Sequence, residues 1–356
     1  MQADPSSVKR VLVCRTGCLG DSVTAIPAFR LIRRNVPDAV LTLLGDTPGH
    51  GRFGVADVAG GLSIFDRICT YRGRRGLMSA LQMFLRVRQA RPDLVVLLPG
   101  VRESEEGVRR KARFFRFCGV PDVRAQQHLE MTDSGQSPEP DRLISMLHAL
   151  GFAGQKPGYA IMANEAARAD VAVRLQSLGV DPARNEYLVF CGGGSTAAQR
   201  WPLERYAAVL KDVAECFDMP VVAIGTPAEL AAYQLHIKPL FPGLKLLKSE
   251  MDSARLFEVM RGARAYFGND TGPMHAAAAV GCPVAAIISG RNRPGAWDPD
   301  VRPRLVVRNR LDCENCFLQA CIEKGHRCML DIQPDVVVPE LIHFLAALSA
   351  GQSLAR

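Results

Sequence analysis

Buried strands alternate with helices twice along this chain of 356 residues. The first alternation begins with the apolar segment 8–14, and the second begins with the apolar segment 187–191. Strands that are separated by helices are typical of a parallel sheet with helices on both faces. The pattern therefore predicts an α/β protein with two doubly wound, Rossmann-like domains.

The segment 151–185 bridges the two alternations. We predict an N-terminal domain over 1–160, a C-terminal domain over 161–333, and a terminal helix within 334–356 that packs back on the N-terminal domain. Apolar residues make up 48% of the chain, enough for a core in each domain. The predicted strands include 8–14, 40–44, 64–69, 93–98, 187–191, 220–224 and 244–247. The predicted helices include 23–35, 77–89, 107–117, 142–150, 163–178, 203–217, 228–237, 254–262 and 334–350, and 127–140 is predicted to be a polar loop.

The chain carries a formal net charge of +8, and its basic residues concentrate in the first half. Such a balance favours anionic partners such as phosphates, phospholipid headgroups or nucleic acid, although solvated helix faces explain most of these residues. The first seven residues are polar and predict no export signal, and no apolar run reaches the length of a bilayer span. We therefore expect a cytoplasmic protein.

One stretch, 266–290, reads as a strand, a polar turn, a helix and a second buried strand. Asp270 or Thr271 is placed to cap the helix, Gly272 begins it, and Pro273 suits its first turn. The backbone N–H groups at such a helix start form an anion site, and His275 lies one turn further on. This combination suits a diphosphate; the alternative is an ordinary capped helix.

The second alternation opens with a glycine-rich loop, Gly192-Gly-Gly-Ser-Thr196. Its glycines let the backbone approach a ligand, and the hydroxyls of Ser195 and Thr196 suit phosphate oxygens. Arg200 supplies a candidate counter-charge for a diphosphate, and Glu229 is placed to reach a ribose hydroxyl. Because these residues all follow parallel strands, we expect them at one edge of the sheet, with Asp270 and His275.

The first alternation has its own loop, with Arg15, Thr16, Gly17 and Gly20 before Asp21 at the start of a helix. Its spacing does not match the dinucleotide-binding pattern Gly-x-Gly-x-x-Gly, which disfavours a dehydrogenase. It also lacks the Gly-Lys-Ser/Thr of a phosphate-binding P-loop. Asp21 is either the helix cap or a carboxylate that faces the ligand.

Four of the eleven cysteines, Cys313, Cys316, Cys321 and Cys328, lie within sixteen positions. Four thiolates in one loop suit a closed tetrahedral metal site, and His326 is an alternative ligand. The alternatives are four reduced thiols or disulfides formed during purification. No basic helix follows Cys328, which disfavours a nucleic-acid zinc finger.

Three blocks taken together resemble glycosyltransferase family 9, whose type members are the ADP-heptose:lipopolysaccharide heptosyltransferases. The resemblance covers almost the whole chain in order, and it implies the GT-B fold, in which two facing domains enclose a cleft. It also implies an inverting transfer without a catalytic metal, with the acceptor on the N-terminal domain and an ADP-sugar on the C-terminal domain. The blocks are Gly20-Asp21 followed by Pro27, Arg200-Trp201-Pro202, and Asp270-Thr271-Gly272-x-x-His275 with the alanines up to Gly281.

The resemblance assigns roles to particular residues. Asp21 would be the general base, and Glu229 would lie near the ribose of the donor. The loop with Arg15, Thr16, Gly17 and Gly20 would line the cleft on the acceptor side. The family usually has Lys where this chain has Gln199, so that either Arg200 substitutes, the donor differs, or activity is weakened. A similar cysteine loop holds iron in some relatives, including autotransporter heptosyltransferases, and implies a structural iron or zinc here. The residues expected to hold the ADP-sugar are Ser195, Asp270, Thr271, Gly272 and His275.

Three functions compete on these grounds. The first is heptose transfer to a lipopolysaccharide core or related glycan, for which the basic N-terminal half suits an anionic acceptor at the inner membrane face. The second is transfer to a protein acceptor, which the cysteine loop favours and the lack of an extra N-terminal domain disfavours. The third is a non-catalytic sugar-nucleotide or nucleic-acid binding protein, which the basic charge and Gln199 leave open. We expect the first, with no nucleic-acid partner.

Overall fold

Each half of the chain forms one fully parallel sheet. The computed structural model describes residues 5–47, 53–72, 76–101, 103–126, 137–184, 186–248, 251–322 and 324–350. It divides after Ile161 into two units, one residue beyond the predicted boundary. The predicted class, α/β with two doubly wound parallel sheets, is confirmed.

The first unit contains five strands in the order β3-β2-β1-β4-β5. The chain runs outward from β1 to β3 and then crosses to β4 on the other side of β1, so the order reverses at β1. The strands are β1 (Arg10–Cys14), β2 (Val40–Thr47), β3 (Arg67–Arg72), β4 (Leu94–Leu97) and β5 (Asp122–Arg124). The helices are α1 (Leu19–Val23), α2 (Ile26–Asn35), α3 (Val55–Ala59), α4 (Leu77–Ala90), α5 (Glu105–Phe117) and α6 (Glu139–Ala149).

The second unit repeats this plan with one more strand, in the order β11-β10-β9-β6-β7-β8. Its order reverses at β6, so the loops that follow β6 and β9 lie side by side. The strands are β6 (Leu188–Cys191), β7 (Val221–Ala223), β8 (Lys245–Leu246), β9 (Ala265–Asn269), β10 (Val284–Ile287) and β11 (Arg304–Val307). The helices are α7 (Glu165–Ser177), α8 (Leu203–Phe217), α9 (Pro227–His236), α10 (Ser253–Arg261), α11 (Gly272–Ala279), α12 (Arg327–Leu330) and α13 (Pro334–Ser349).

The terminal helix α13 packs within the second unit. Its buried side chains, among them Leu341 and Phe344, join the core cluster that contains Trp201 and Tyr206. The prediction that this helix packs on the N-terminal domain is wrong for its apolar face, because that face completes the core beside α8 and β11.

Several boundaries differ from the predictions for local reasons. The predicted helix 23–35 is two helices, α1 and α2, separated at Thr24 and Ala25. The predicted strand 64–69 begins later, at Arg67, because Phe65 packs edge-to-face on Phe29 of α2 instead of entering the sheet. Of the predicted loop 127–140, residues 127–136 lie outside the described residues, and α6 begins at Glu139. Within the described part of the chain, no helix is both long and apolar enough to cross a membrane.

Candidate functional site

The loop after β1 is held from below by a buried guanidinium. Arg15 is 1% exposed, and its Nη1 donates to the carbonyl oxygens of Leu98 and Pro99 at 3.3 and 3.0 Å. Its Nη2 donates to the Asp21 carbonyl at 3.0 Å and to Glu139 Oε1 at 3.2 Å. The predicted cleft residue Arg15 therefore points into the first unit, where it positions the loop, while Thr16, Gly17 and Gly20 lie partly exposed.

Glu139 completes this ionic cluster. It is 1% exposed and also accepts two hydrogen bonds from Arg142, at 2.6 and 2.8 Å. A buried carboxylate is stabilised by paired cations and hydrogen bonds of this kind. The strand-end loop of the first unit is thus fixed by charge.

Asp21 lies at the rim of that cluster with its side chain about one-third exposed. Its Oδ1 lies 3.8 Å from Arg15 Nη2, and its Oδ2 accepts from the Cys18 backbone N–H at 3.2 Å. This second contact is half of a capping box at the start of α1. Gly17, with a φ of +140°, passes so close that a Cβ there would collide with the Asp21 side chain. The carboxylate therefore caps α1 and is partly exposed, so its capping role is observed and its role toward a ligand stays a prediction.

The structure adds a second carboxylate that the sequence analysis missed. Asp46, near the end of β2, accepts from the Gly17 backbone N–H at 3.2 Å. Burial raises the pKa of Asp46, the Gly17 hydrogen bond lowers it, and the nearby Asp21 carboxylate raises it further. The sequence signal that could have revealed Asp46 is an acidic residue near the end of the strand that pairs with β1.

In the second unit, Asn269 ties the ends of β6 and β9 together. It is fully buried, and its Nδ2 donates to the carbonyl oxygens of Gly192 and Gly193 at 2.8 and 2.9 Å. Its Oδ1 accepts from the Tyr206 hydroxyl at 2.6 Å. Asn269 therefore fixes the glycine loop against the turn that precedes α11, a role that the sequence analysis did not assign.

Gln199 forms a second link between the same two loops. Its Oε1 accepts from the hydroxyls of Ser195 and Thr196, both at 2.9 Å, and its Nε2 donates to the Asp270 carbonyl at 3.0 Å. The side chain is buried, with 8% exposure. Gln199 thus acts as a neutral cross-link between the two loops.

The turn before α11 gathers polar side chains around the helix start. Thr271 occupies the N-cap position but makes no side-chain capping bond, and its hydroxyl lies 3.2 Å from that of Tyr266. Asp270 is 4% exposed, lies 3.6 Å from His275 Nε2, and accepts from Asn292 Nδ2 at 3.2 Å. Pro273 has no N–H, and the Met274 N–H donates to the Thr271 carbonyl at 3.1 Å. The start of α11 therefore offers an anion the Gly272 N–H and the positive end of the helix dipole.

Two further predicted donor residues border the glycine loop. Glu229 accepts from the Gly194 N–H at 3.2 Å while also closing a capping box with Thr226. A Cβ at Gly193 would collide with the Glu229 carboxylate, so any side chain there would displace Glu229 from the loop. Arg200 is exposed and donates to the Gly194 carbonyl from Nε and Nη2, at 3.1 and 2.9 Å. The structure therefore brings the predicted donor residues together around the loops that follow β6, β7 and β9.

The four clustered cysteines line one cavity of about 50 Å³, together with Gly290, Arg291 and His326. Burial raises the pKa of Cys328, a hydrogen bond with Gly290 lowers it, and the other three thiols raise it further. No three His, Cys, Asp or Glu side chains in the described ranges are already arranged as metal ligands. The thiols therefore converge on one cavity without forming a finished coordination site.

This cysteine loop is bonded to the donor-side loops. The Ala198 N–H donates to the Gln319 carbonyl at 3.1 Å, and the Ala198 carbonyl lies 3.0 Å from His326 Nε2. Arg291, 1% exposed, donates to the Leu318 carbonyl at 2.5 Å and to Asn292 Oδ1 at 3.3 Å. Because Asn292 holds Asp270, the cysteine loop and the turn before α11 share one hydrogen-bond network.

The match to a family model decides the family. Residues 142–326, just over half of the chain, match the model described as glycosyltransferase family 9 (heptosyltransferase). The chain belongs to glycosyltransferase family 9. The matched segment includes the glycine loop, the turn before α11 and most of the cysteine loop.

One curated relative is lipooligosaccharide heptosyltransferase 2 of Campylobacter jejuni, 22% identical over 158 residues. That alignment covers 43% of this chain and about half, 49%, of the relative's length. This family 9 chain therefore shares a detectable sequence relationship with only part of that enzyme.

Solved structures of the family match over nearly the whole chain. A family 9 glycosyltransferase from Veillonella parvula has a TM-score of 0.77 at 20% identity, with 97% of this chain and 99% of that one covered. The ADP-heptose lipopolysaccharide heptosyltransferase II of E. coli has a TM-score of 0.70 at 18% identity, over 96% and 99%. The iron-containing dodecameric glycosyltransferase TibC of enterotoxigenic E. coli has a TM-score of 0.50 at 15% identity, over 95% and 76%. These likenesses confirm the predicted GT-B fold.

Proposed function

We propose that this family 9 chain is an inverting glycosyltransferase that moves a heptose or related sugar from an ADP-sugar to a glycan acceptor. The observation that carries the proposal is the network that joins the glycine loop after β6 to the uncapped start of α11. That network holds polar groups and the start of α11, with its Gly272 N–H, at one sheet edge, where α/β folds bind nucleotides. A non-catalytic binding protein would need this donor site but no outward carboxylate on the other unit.

The donor's diphosphate is expected at the start of α11, where N–H groups and the helix dipole favour negative charge. Thr271 and His275 flank that position, and Gly272 begins the helix. The hydroxyls of Ser195 and Thr196 donate to Gln199 Oε1, and they would turn to donate to phosphate oxygens when the donor binds. Glu229, beside Gly194, is placed for the ribose.

Arg200 is the candidate counter-charge in place of the missing lysine. Two of its nitrogens hold the Gly194 carbonyl, and its Nη1 makes no hydrogen bond to a described residue. An exposed guanidinium on the glycine loop can stabilise the charge that develops on the leaving ADP. Gln199 instead maintains the shape of the loop.

Asp21 is the proposed general base. It would accept the proton of the acceptor hydroxyl as that oxygen bonds to the anomeric carbon and the bond to ADP breaks, which inverts the configuration. The partly exposed carboxylate and its fixed loop suit this role. The proposed reaction therefore uses both units and requires no catalytic metal.

The proposed acceptor is an anionic lipopolysaccharide core or a related glycan or glycolipid, and the proposed location is the cytoplasm. Two relatives named above are heptosyltransferases of lipooligosaccharide and lipopolysaccharide, which supports this acceptor class. The cysteine loop supports one alternative, a protein acceptor. The test is to incubate the chain with ADP-heptose and either truncated lipopolysaccharide or protein, and to detect ADP and product by mass spectrometry. Donor binding with ADP release in neither mixture would contradict transfer to either acceptor.

We further propose that Cys313, Cys316, Cys321 and Cys328 hold one structural iron or zinc. The donor set fits, because four thiols line one cavity and TibC, a solved structure of similar fold, is iron-containing. When bound, the metal would hold the cysteine loop in one conformation. Because Ala198 is hydrogen-bonded to that loop, the metal would also stabilise the neighbouring glycine loop.

Elemental analysis and thermal melts test this metal. We expect about one iron or zinc per chain, lost in Cys316→Ser together with a lower melting temperature. Cys216→Ser is the matched control, since Cys216 is equally exposed but lies on α8. Metal-free wild type with four free thiols would contradict the site.

A further inference from the structure

The α4–α5 surface of the first unit, defined by Met78, Leu81, Leu85 and Phe117 with the arginines beside them, exposes apolar side chains on two neighbouring helices. Met78, Leu81 and Leu85 of α4 are 69%, 47% and 56% exposed, and Phe117 at the end of α5 is 79% exposed. Large apolar side chains that cluster on a surface mark a site of interaction. The proposed transfer reaction uses none of them.

The stripe on α4 lies opposite the helix's core face. Val87 is 1% exposed and packs in the core with Met83 and Phe84 beside it. At 3.6 residues per turn, Met78, Leu81 and Leu85 fall within about 60° of one another on the far side from Val87. The helix is therefore apolar on two faces, and the core accounts for one of them.

Phe117 extends the stripe onto α5. Its ring lies 6.1 Å from that of Phe84, centroid to centroid, so the ends of the two helices meet. Arg88 of α4 reaches across the junction to the Cys118 carbonyl at 3.5 Å. Phe84 is half-buried and lies about 60° from Leu81 around α4, so Phe117 borders the stripe on the Leu81 side.

Arginines border this surface. Arg86 and Arg88 are exposed on α4, which contains no acidic residue, and α5 exposes Arg110, Arg113 and Arg116. The acidic residues of α5, Glu105 and Glu106, lie in its first turn, away from Phe117. No ion pair joins Arg86, Arg110, Arg113 or Arg116 to another residue that the structure describes. The surface therefore combines exposed apolar groups with cations that lack acidic partners in the described ranges.

We propose that the α4–α5 surface docks the protein on an anionic lipid membrane. Apolar side chains with flanking arginines match the boundary between acyl chains and negatively charged headgroups. Charge complementarity favours this occupant over a second copy of the chain, because two copies would bring their arginines together. The proposal rests on α4 and α5 alone and goes beyond the transferase proposed above.

Vesicle co-sedimentation at low salt tests the docking. We expect binding to vesicles that contain phosphatidylglycerol, little binding to phosphatidylcholine alone, and weakening as salt rises. Leu81→Glu with Leu85→Glu should lower the bound fraction at least tenfold. Arg110→Gln and Arg113→Gln should each lower it about fivefold.

Leu235→Glu is the matched control, because Leu235 of α9 is 70% exposed on a helix without arginine. It should leave vesicle binding unchanged, and all variants should keep the wild-type melting temperature and ADP affinity. Equal binding to both vesicle types, or binding that survives the α4 substitutions, would overturn the proposal. Conversion of an oligomer to monomers by Leu81→Glu with Leu85→Glu would identify a second copy as the occupant and overturn it as well. Vesicle binding does not depend on the donor, so failed docking and failed transfer are distinguishable.

Discussion

β1 and β6 are the strands at which the order of their sheets reverses, and each is followed by a loop that contains glycine. After β1, the buried Arg15 holds three backbone carbonyls and pairs with the buried Glu139. After β6, the amides of Asn269 and Gln199 perform the same task without charge. The loop held by an ion pair presents a carboxylate, and the loop held by amides leaves the helix start uncapped for an anion.

The largest expected effect falls on the first loop. Asp21→Asn should lower transfer about 10²–10⁴-fold, because the amide cannot accept the acceptor's proton. ADP affinity should stay at the wild-type value, because the donor groups lie in the second unit. Steady-state rates and calorimetric titration with ADP check both statements. A wild-type rate in Asp21→Asn would mean that Asp21 is only a helix cap and that the loop after β1 has no catalytic role.

The buried Arg15–Glu139 ion pair that supports the first loop should contribute to the free energy of unfolding. Arg15→Met should destabilise the first unit by about 3–5 kcal/mol, because one partner of a buried ion pair is removed. Arg10→Met is the matched control, since Arg10 begins β1, the strand that Arg15 follows, and pairs with Asp93 at an exposed site. Urea unfolding should show a much smaller loss there. Equal losses in the two variants would mean that burial of the Arg15 pair is unimportant.

The anion site at the start of α11 should contribute to the affinity for ADP. Thr271→Ala and His275→Ala should each weaken ADP binding by about 1.5–3 kcal/mol, the range for hydrogen bonds to charged groups. The melting temperature should fall little in Thr271→Ala, because the hydroxyl makes no capping bond to α11. Calorimetry on each variant provides the measurement. Unchanged affinity in both would move the donor site elsewhere.

The amide support should give the smallest effect. Gln199→Ala should weaken ADP binding by about 1–3 kcal/mol, because the Ser195 and Thr196 hydroxyls and the Asp270 carbonyl lose their partner. Gln176→Ala, on the exposed face of α7, controls for the loss of an amide. If Gln199→Ala binds ADP like the wild type, the network does not shape the site.

The fold was largely predictable because central strands such as β4, β6 and β10 are continuous apolar runs and the long helices have clear ends. Helix α8 has the predicted bounds, between Pro202 and Asp218. Strand β11 was missed because it is a half-buried edge strand that carries Arg304. The sequence analysis assigned the apolar face of α13 to the wrong core, because the apolar pattern of a helix does not indicate which core the helix completes.

The candidate site was predictable as a set of residue types but not as contacts. Asp270, Thr271 and His275 follow from the strand–turn–helix pattern, whereas the inward direction of Arg15 depends on Glu139, 124 residues away. The cross-link by Gln199 depends likewise on Asp270, 71 residues away. Such long-range pairings carry no local signal in one sequence.

The central claim is that the edge formed by the loops after β6 and β9 holds an ADP-sugar. Calorimetric titration of the wild type and of Thr271→Ala with His275→Ala against ADP-, UDP- and GDP-sugars tests it most directly. The account predicts that the wild type binds ADP-heptose in preference to UDP- and GDP-sugars, and that the double variant loses about 10²-fold or more of that affinity. Equal binding of all three nucleotide classes, or full ADP-heptose affinity in the double variant, would contradict it.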